Sequence, residues 1–297
     1  MVSRETQNLQ EATGRGGSFT ATTCSTWCRP WKLQGVDSVG TISASLVTYV
    51  SIPALQPDLV INAGTAGGFK AKGATVGDTF LVSHVAFRDR RIPIPYHGTY
   101  KELDISIVWP GKDTVLGVDS VGTISASLMT YVCIQALQPD LVINAGTAGG
   151  FKVKGATVGD TFLVSHVAFR DRRIPIPVFD LYGIGLRQAF STPNLLRTLN
   201  LKVGKLSTSD SFEAPQEKAS ISENDATLED MEGAAVAYVA DLLKVPAVFI
   251  KAVTNIVDGD KPTIVEYRQN LRAVTAALGL AVAEVVDFIN GKCLSEL

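Results

Sequence analysis

The C-terminal part of the chain places apolar residues in a pattern that predicts a helix followed by a buried strand. After Glu232, apolar residues recur every three or four positions, as they do on one face of a helix; they are Ala235, Val236, Val239, Leu242 and Leu243. Pro246 ends this helix because it has no N–H group to donate. Residues 247–253 then form an almost wholly apolar run, which is typical of a strand covered on both faces. Glu232, Thr254 and Asn255 are therefore expected near strand ends, where open α/β sheets bind their ligands.

Strands alternate with helices from residue 96 onward, and this alternation indicates an α/β fold. Apolar periodicity predicts strands at 103–107, 141–145, 158–169 and 202–208, and helices at 121–137, 193–199 and 271–289. Ser191 and Thr192 precede Pro193, so a hydroxyl cap is expected where the second of these helices begins. The Gly-rich stretch 146–150 follows a predicted strand, and we interpret it as a tight turn.

An internal repeat occupies the first half of the chain. Residues 35–95 and 117–177 align without gaps and differ only at the pairs Val47/Met129, Ser51/Cys133, Pro53/Gln135 and Ala71/Val153. A tandem duplication explains such near-identity better than a repeat architecture, whose units diverge more and rarely stop at two. Residues 1–34 are rich in Ser, Thr, Gly and Gln without periodicity and are expected to be disordered. We therefore predict a disordered segment 1–34, a duplicated module 35–95 and a main domain 96–297.

Composition and charge exclude several classes of protein. The chain has 297 residues, 46% hydrophobic and 19% charged, which is enough for a substantial core. Its net charge of −2 gives no electrostatic attraction to nucleic acid or to an anionic membrane, and no apolar run reaches the roughly 18 residues of a membrane-spanning helix. Four cysteines are too few for a disulfide framework, so a reducing, cytoplasmic setting is expected. Cys24 and Cys28 have no suitably spaced partner, and neither a metal nor a cofactor is expected.

Five stretches of sequence carry a recognisable pattern; they are residues 143–150, 172–177, 179–185, 230–238 and 251–263. They resemble motifs of the plant 5′-methylthioadenosine nucleosidases, members of the purine nucleoside phosphorylase/hydrolase superfamily. The resemblance covers residues 96–297 and, a second time, residues 35–95. It implies a three-layer α/β/α fold with a central twisted mixed sheet, in a protein that usually works as a homodimer. It also implies hydrolysis of the N-glycosidic bond of 5′-methylthioadenosine to adenine and methylthioribose in methionine salvage.

The same resemblance implies roles for particular side chains at a site for a small adenine nucleoside. Glu232 would bind the ribose hydroxyls while positive charge develops on the sugar, and Met231 would pack against the sugar. Thr147 would lie near the ribose and the attacking water, and Phe212 would stack on adenine. Asn255 occupies the position of the family's acid, which is an Asp that faces N7 of adenine.

The chain departs from the family pattern at several positions. Asn255 can donate a hydrogen bond to N7, but an amide has no acidic proton to transfer. The family's first strand, which carries a water-activating Glu, is not found in residues 1–95, so this strand is missing or replaced. Ser209 stands where Gly is usual, and Arg170 where His is expected. Since loss of one acid–base group costs about 10²–10⁴-fold in rate, we expect turnover to be weak or absent.

Two further readings of the pocket remain open. The first is a non-catalytic relative that binds or stores adenine nucleosides. The second is phosphorolysis, which would need a phosphate site with a suitably placed Arg, and no such Arg is assignable from the sequence. Asp210 and Asp258 are carboxylates that could replace the missing acid, but both are predicted to be ordinary loop caps. The pattern does not distinguish methylthioadenosine from S-adenosylhomocysteine as the preferred substrate.

Overall fold

The computed structural model describes residues 96–113, 115–172, 174–212 and 225–297, together with Ile42, Ser45 and Leu46. The chain divides into two units, Ala44–Leu46 with Arg90–Leu297 and Met1–Ser43 with Val47–Asp89. All elements named below lie in the first of these units. Residues 1–34 and almost all of 35–95 lie outside the described residues, so the predicted domain boundaries stay predictions.

Strands and helices alternate through the described part of the chain, as the sequence predicts. The strands are β1 (Tyr96–Tyr100), β2 (Leu103–Ile107), β3 (Val142–Gly150), β4 (Thr161–Phe169), β5 (Arg187–Gln188), β6 (Lys202–Thr208), β7 (Leu228–Asp230) and β8 (Ala247–Ile256). The α-helices are α1 (Thr123–Leu137), α2 (Phe179–Ile184), α3 (Pro193–Leu199), α4 (Gly233–Leu242) and α5 (Thr263–Ile289). Strands β1 and β2 form an antiparallel hairpin, whereas the sequence predicted only its second strand.

The central sheet is mixed and closes on itself. Its six strands follow the order β5-β4-β6-β7-β3-β8, and β8 also pairs with β4. The pairs β3–β8, β4–β6 and β6–β7 are parallel, whereas β3–β7 and β4–β8 are antiparallel. The α/β class and the mixed sheet are therefore both confirmed.

The Gly-rich stretch 146–150 is part of a strand, so its interpretation as a tight turn was wrong. Strand β3 pairs with β8 from Val142 to Gly150, and Gly149 and Gly150 also pair with β7. The ladder has one irregularity, since Ala148 pairs with Val253 but Gly149 pairs with Asn255. The extra residue, Thr254, makes a β-bulge, a feature that re-aims the side chains beside it.

Helices cover both faces of the sheet. On one face α5 packs over β8 and β3 through a core of Leu163, Leu195, Val248, Ile250, Ala252, Val274, Leu278 and Val285. On the other face α4 packs against the sheet and α1 packs against α4. Every residue of α4 from Gly233 to Ala240 is consequently buried, and not only the single face that the periodicity predicts.

Two helix ends differ from their predictions. Helix α5 begins at Thr263, earlier than the apolar stripe alone indicates, because its first turn is polar or exposed. Thr192 does precede α3, but its hydroxyl makes no capping bond, and Thr192 Oγ1 is buried without a partner in the described part of the chain. Among the described residues, no helix combines the length and the apolar character needed to span a membrane.

Candidate active site

Four strands bring one row of residues together at the carboxyl end of β3. Ser207 pairs with Glu229, Glu229 with Gly149, and Gly149 with Asn255. Residues that pair across neighbouring strands lie on the same face of a sheet. A Cβ on Gly149 would lie 3.1 Å from Glu229 Cγ, 3.1 Å from Asn255 Nδ2 and 2.7 Å from Val257 Cγ2. Glycine is therefore the residue that lets the Glu229 and Asn255 side chains approach each other here.

A buried ion pair lies next to the first residue of α4. Lys251 Nζ is 2.9 Å from Asp230 Oδ2, and their side chains are 2% and 1% exposed. Asp230 also accepts hydrogen bonds from Thr208 Oγ1 (2.6 Å) and from the Gly233 N–H (2.9 Å). These contacts satisfy the first N–H of α4 and fix the strand-to-helix junction. Gly233 is required there, since a Cβ would lie 2.4 Å from Leu206 Cδ2.

Glu232 lies at this junction, as predicted, and is half-buried. Its Oε1 accepts a hydrogen bond of 2.8 Å from the Gly122 N–H, immediately before α1. Burial raises the pKa of the Glu232 carboxyl, and the negative charge of Asp230 adds to this effect; the Gly122 N–H and the Lys251 ammonium oppose it. Glu232 Oε1 is thus held in place from the α1 side.

Asn255 is 3% exposed and is the second-to-last residue of β8, next to the bulge at Thr254. Thr254 Oγ1 lies 2.8 Å from Asn255 Oδ1 and 3.2 Å from the Ala148 carbonyl oxygen, so its single proton is shared between two acceptors. The amide is therefore oriented with Oδ1 toward Thr254 and Nδ2 toward Gly149. This orientation presents an N–H donor on the side of Glu229.

The remaining predicted residues lie on neighbouring elements. Thr147 is half-buried on β3, two positions before Gly149, and Met231 lies between Asp230 and Glu232. Phe212 follows the end of β6, is 37% exposed and makes an edge-to-face contact with Tyr267 at 5.3 Å between ring centroids. Met231 and Glu232 thus follow β7, Phe212 follows β6, and Thr147 and Asn255 lie toward the carboxyl ends of β3 and β8.

The two carboxylates considered as substitutes for the acid are caps. Asp210 accepts hydrogen bonds from Thr123 N and Thr123 Oγ1, both at 2.7 Å, and so closes the N-terminus of α1. Asp258 accepts from the Lys152 N–H at 2.6 Å and the Val153 N–H at 3.0 Å. Asp210 thus caps a helix, and Asp258 caps the short turn Lys152–Lys154.

Arg170 and Ser209, which differ from the family pattern, contact each other. Arg170 Nη2 donates to Ser209 Oγ at 2.7 Å, and Arg170 Nη1 forms an ion pair with Glu229 Oε2 in which both side chains are 12% exposed. Ser209 Oγ in turn donates to the Ser211 carbonyl oxygen at 3.1 Å. The two residues that differ from the family pattern therefore belong, with Glu229, to one hydrogen-bonded cluster.

The sequence contained a signal for the Asp230–Lys251 pair that the residue-level predictions missed. Lys251 interrupts an otherwise apolar run that is expected to be buried on both faces. A lysine in such a strand needs a carboxylate partner, because an isolated buried charge is very costly. Asp230, at the end of β7 and two strands away from β8 in the sheet, is that partner.

A cavity of about 170 Å³ lies elsewhere, beside β4, β5 and α3. Its lining includes Leu163, Ser165, Gln188, Phe190, Thr192 and Leu196, but none of the predicted site residues. We place the site at the converging strand ends because the buried charges and the oriented amide are there. Within the described ranges, no group of three or more His, Cys, Asp or Glu side chains could hold a metal ion.

The fold and these strand ends define an α/β protein of the nucleoside phosphorylase/hydrolase class. The family model described as the phosphorylase superfamily matches residues 94–287. A 5′-methylthioadenosine nucleosidase of Arabidopsis thaliana is 66% identical over 203 residues, covering 68% of this chain and 76% of the relative. A 5′-methylthioadenosine/S-adenosylhomocysteine nucleosidase of the same plant is 62% identical over 205 residues, covering 69% and 81%.

A solved structure leads to the same conclusion. The Arabidopsis thaliana 5′-methylthioadenosine nucleosidase in apo form superposes with a TM-score of 0.67 and 65% identity, covering 69% of this chain and 85% of that chain. The chain belongs to the phosphorylase superfamily and, within it, to the plant 5′-methylthioadenosine nucleosidase family.

Proposed function

We propose that this chain binds 5′-methylthioadenosine and hydrolyses its N-glycosidic bond to adenine and methylthioribose. The observation that carries the proposal is the Glu232 carboxylate, held at the strand-to-helix junction in a chain 66% identical to a nucleosidase of that name. In the overall reaction water adds a hydroxyl to C1′. Adenine leaves with the electron pair of the broken bond and takes up the remaining proton.

Glu232 is the proposed ribose-binding group. Its carboxylate would accept hydrogen bonds from the ribose hydroxyls and stabilise the positive charge that develops on the sugar. This role requires the ionised form. The Lys251 ammonium and the Gly122 N–H both favour ionisation and so oppose the effect of burial. Met231, its neighbour, is proposed to pack on the sugar, and Thr147 to lie near the ribose and the attacking water.

Asn255 and Phe212 are proposed to bind the base. Asn255 Nδ2 would donate to N7 of adenine, because Oδ1 is already engaged by Thr254. Phe212 would stack on adenine with the ring area that it leaves exposed. Since an amide supplies no proton, the proton taken up by adenine would come from water, and this is why we predicted weak or absent turnover.

The relatives favour an active hydrolase over a non-catalytic binder. They give no support to the expectation of lost turnover, which stays a prediction based on Asn255 and on the first strand not found in residues 1–95. The test is adenine release from 5′-methylthioadenosine, followed with and without phosphate, alongside the melting temperature with and without nucleoside. We expect phosphate-independent release. The proposal is rejected if adenine is not released and the nucleoside does not raise the melting temperature. A rise in melting temperature without adenine release would favour the binder.

We also propose that the chain forms a homodimer and is located in the cytoplasm. The dimer is supported by the family resemblance and by a run of exposed apolar side chains, namely Val115, Leu116, Val118 and Val121 at 80%, 75%, 57% and 61% exposed. Exposed apolar patches of this kind mark protein interaction sites. The location is supported by the low cysteine count, and imaging of a fluorescent fusion would test it.

A further inference from the structure

The base end of the pocket contains a cluster that the nucleosidase proposal does not use. It consists of Arg170, Ser209 and Glu229, which lie after β4, after β6 and on β7. Arg170 Nη1 is paired with Glu229 Oε2, and Arg170 Nη2 donates to Ser209 Oγ at 2.7 Å and to the Ser211 carbonyl oxygen at 3.5 Å. The planar guanidinium thus bridges two separate chain segments, which a lysine ammonium does less well.

Through Ser209, this cluster contacts the turn that precedes Phe212. Ser209 Oγ accepts from Arg170 and from the Ser211 N–H (3.3 Å), and it donates to the Ser211 carbonyl oxygen. Residues 209–211 are therefore folded around a hydroxyl that Arg170 holds. Phe212 comes next and is supported on its other side by Tyr267.

The other side of the cluster reaches Asn255. Glu229 and Asn255 flank Gly149 in the sheet, and each has an atom 3.1 Å from the position of the missing Cβ. The carboxylate of Glu229 is fixed by Arg170, so the surroundings of the Asn255 amide depend on the same guanidinium.

We propose that Arg170 is a positioning residue for base recognition, which ties the turn 209–211 to Glu229 and so fixes both Phe212 and the surroundings of Asn255. This inference rests on the proposed function, in which Phe212 and Asn255 bind adenine. Arg170 itself does not touch the substrate. Its effect should be larger at the base end, because Glu232 accepts its hydrogen bond from Gly122 and not from this cluster. Asp210, inside the turn, connects that turn to Thr123 of α1.

Calorimetric titration with adenine and, separately, with methylthioribose tests the inference. Arg170→Met should weaken adenine binding about tenfold, because two charge-assisted contacts are lost, and should weaken methylthioribose binding clearly less. Arg170→Lys should give an intermediate loss. Ser209→Gly should weaken adenine binding on its own and weaken it less in the Arg170→Met background, since both changes break the Arg170–Ser209 contact.

Arg187→Met is the matched control. Arg187 also pairs with a carboxylate, Asp241 at 3.3 Å, and donates to a carbonyl oxygen, that of Gly185 at 2.8 Å, but it lies on β5. This variant should bind adenine as the unmodified chain does. The inference is overturned if Arg170→Met loses adenine and methylthioribose binding equally, or if it loses no adenine binding. If Arg170→Met does not fold, Arg170→Lys and Ser209→Gly decide the question. Failure of the unmodified chain to bind either ligand would instead count against the proposed function.

Discussion

At the scale of single residues, the two ends of the proposed pocket differ in their protonation chemistry. The sugar end keeps an ionisable carboxyl, Glu232, whose pKa is raised by burial and by Asp230. The base end has an amide, Asn255, whose Oδ1 faces the Thr254 hydroxyl. The Glu232 carboxyl can therefore respond to pH, whereas the Asn255 amide cannot.

Asn255→Asp should restore a proton donor at the base end. Burial would raise the pKa of the new carboxyl, so it would retain a proton for the leaving adenine. We expect the rate of adenine release to rise by about 10²–10⁴-fold. Asn194→Asp, at an exposed amide that donates to the Glu296 carbonyl oxygen, is the control and should leave the rate unchanged. An unaltered rate in both variants would show that position 255 does not limit turnover.

Glu232→Gln should make the unliganded protein more stable at about pH 8 than the unmodified chain. The folded-state pKa of Glu232 lies above its ordinary value, so its contribution to stability is complete below that ordinary value and is lost as pH rises through the raised pKa. Glutamine cannot ionise and keeps an oxygen for the Gly122 N–H. Melting temperatures should therefore differ at about pH 8 and converge at about pH 4.

Asp160→Asn is the control of opposite sign. Burial acts to raise the pKa of the Asp160 carboxyl, but the Lys202 ammonium and the Thr157 N–H and hydroxyl outweigh it and hold the pKa below its ordinary value. Its stabilising effect is present above that ordinary value, so Asp160→Asn should lower the melting temperature at about pH 8. A lower melting temperature of Glu232→Gln at that pH would contradict the sign derived for Glu232.

At the scale of elements, buried charges decide how α4 joins the sheet. Asp230 and Lys251 connect β7 and β8, and Asp230 also holds the first N–H of α4. A buried ion pair is not necessarily stabilising compared with apolar residues, but removal of one partner leaves the other charge unpaired.

Lys251→Met should lower the free energy of unfolding by about 3–5 kcal/mol, because Asp230 would stay buried without its cation. Urea unfolding measures the change. Adding Asp230→Asn should recover part of the loss, since the uncompensated charge is then gone. Lys202→Met is the control: it removes a largely exposed lysine from its pair with Asp160 and should cost no more than about 1 kcal/mol. Equal costs for the two lysines would refute the distinction.

The sequence predicted an element well where its apolar periodicity is regular. It predicted an element poorly where contacts with distant parts of the chain determine the structure. The strands β4, β6 and β8 and the helices α1, α3 and α4 lie close to their predicted bounds, because their apolar periodicity matches their burial. The stretch 146–150 was misjudged because its glycines signal a turn locally, whereas the pairing partner of the strand comes from distant β8. The resemblance supplied the site residues, but no local pattern indicated that Arg170 would meet Ser209 and Glu229.

At the scale of the whole molecule, most of the described strands are paired within the closed sheet. An apolar surface outside the sheet stays exposed. The exposed run at 115–121 lies between the β1–β2 hairpin and α1. Burial of such residues is worth about 25 cal/mol per Å² of apolar area removed from water, which favours association with a second copy.

Sedimentation equilibrium should give a mass about twice the 31.6 kDa of one chain. The double change Leu116→Asp and Val121→Asp should shift the equilibrium toward the monomer, because two charges would have to be buried in the interface. Val153→Asp, at a residue 74% exposed outside this run, should not. A monomer in the unmodified chain would exclude the dimer.

The pairing of distant strands has a kinetic consequence for the site. The row Ser207, Glu229, Gly149 and Asn255 joins segments that lie far apart along the chain, and its last pairing requires β3 and β8 to meet. Contacts between distant segments pay a large loop-closure entropy and therefore form late. Affinity for adenine should consequently appear only in the final phase of refolding, which would make the ligand a reporter of the β3–β8 pairing and not of early collapse.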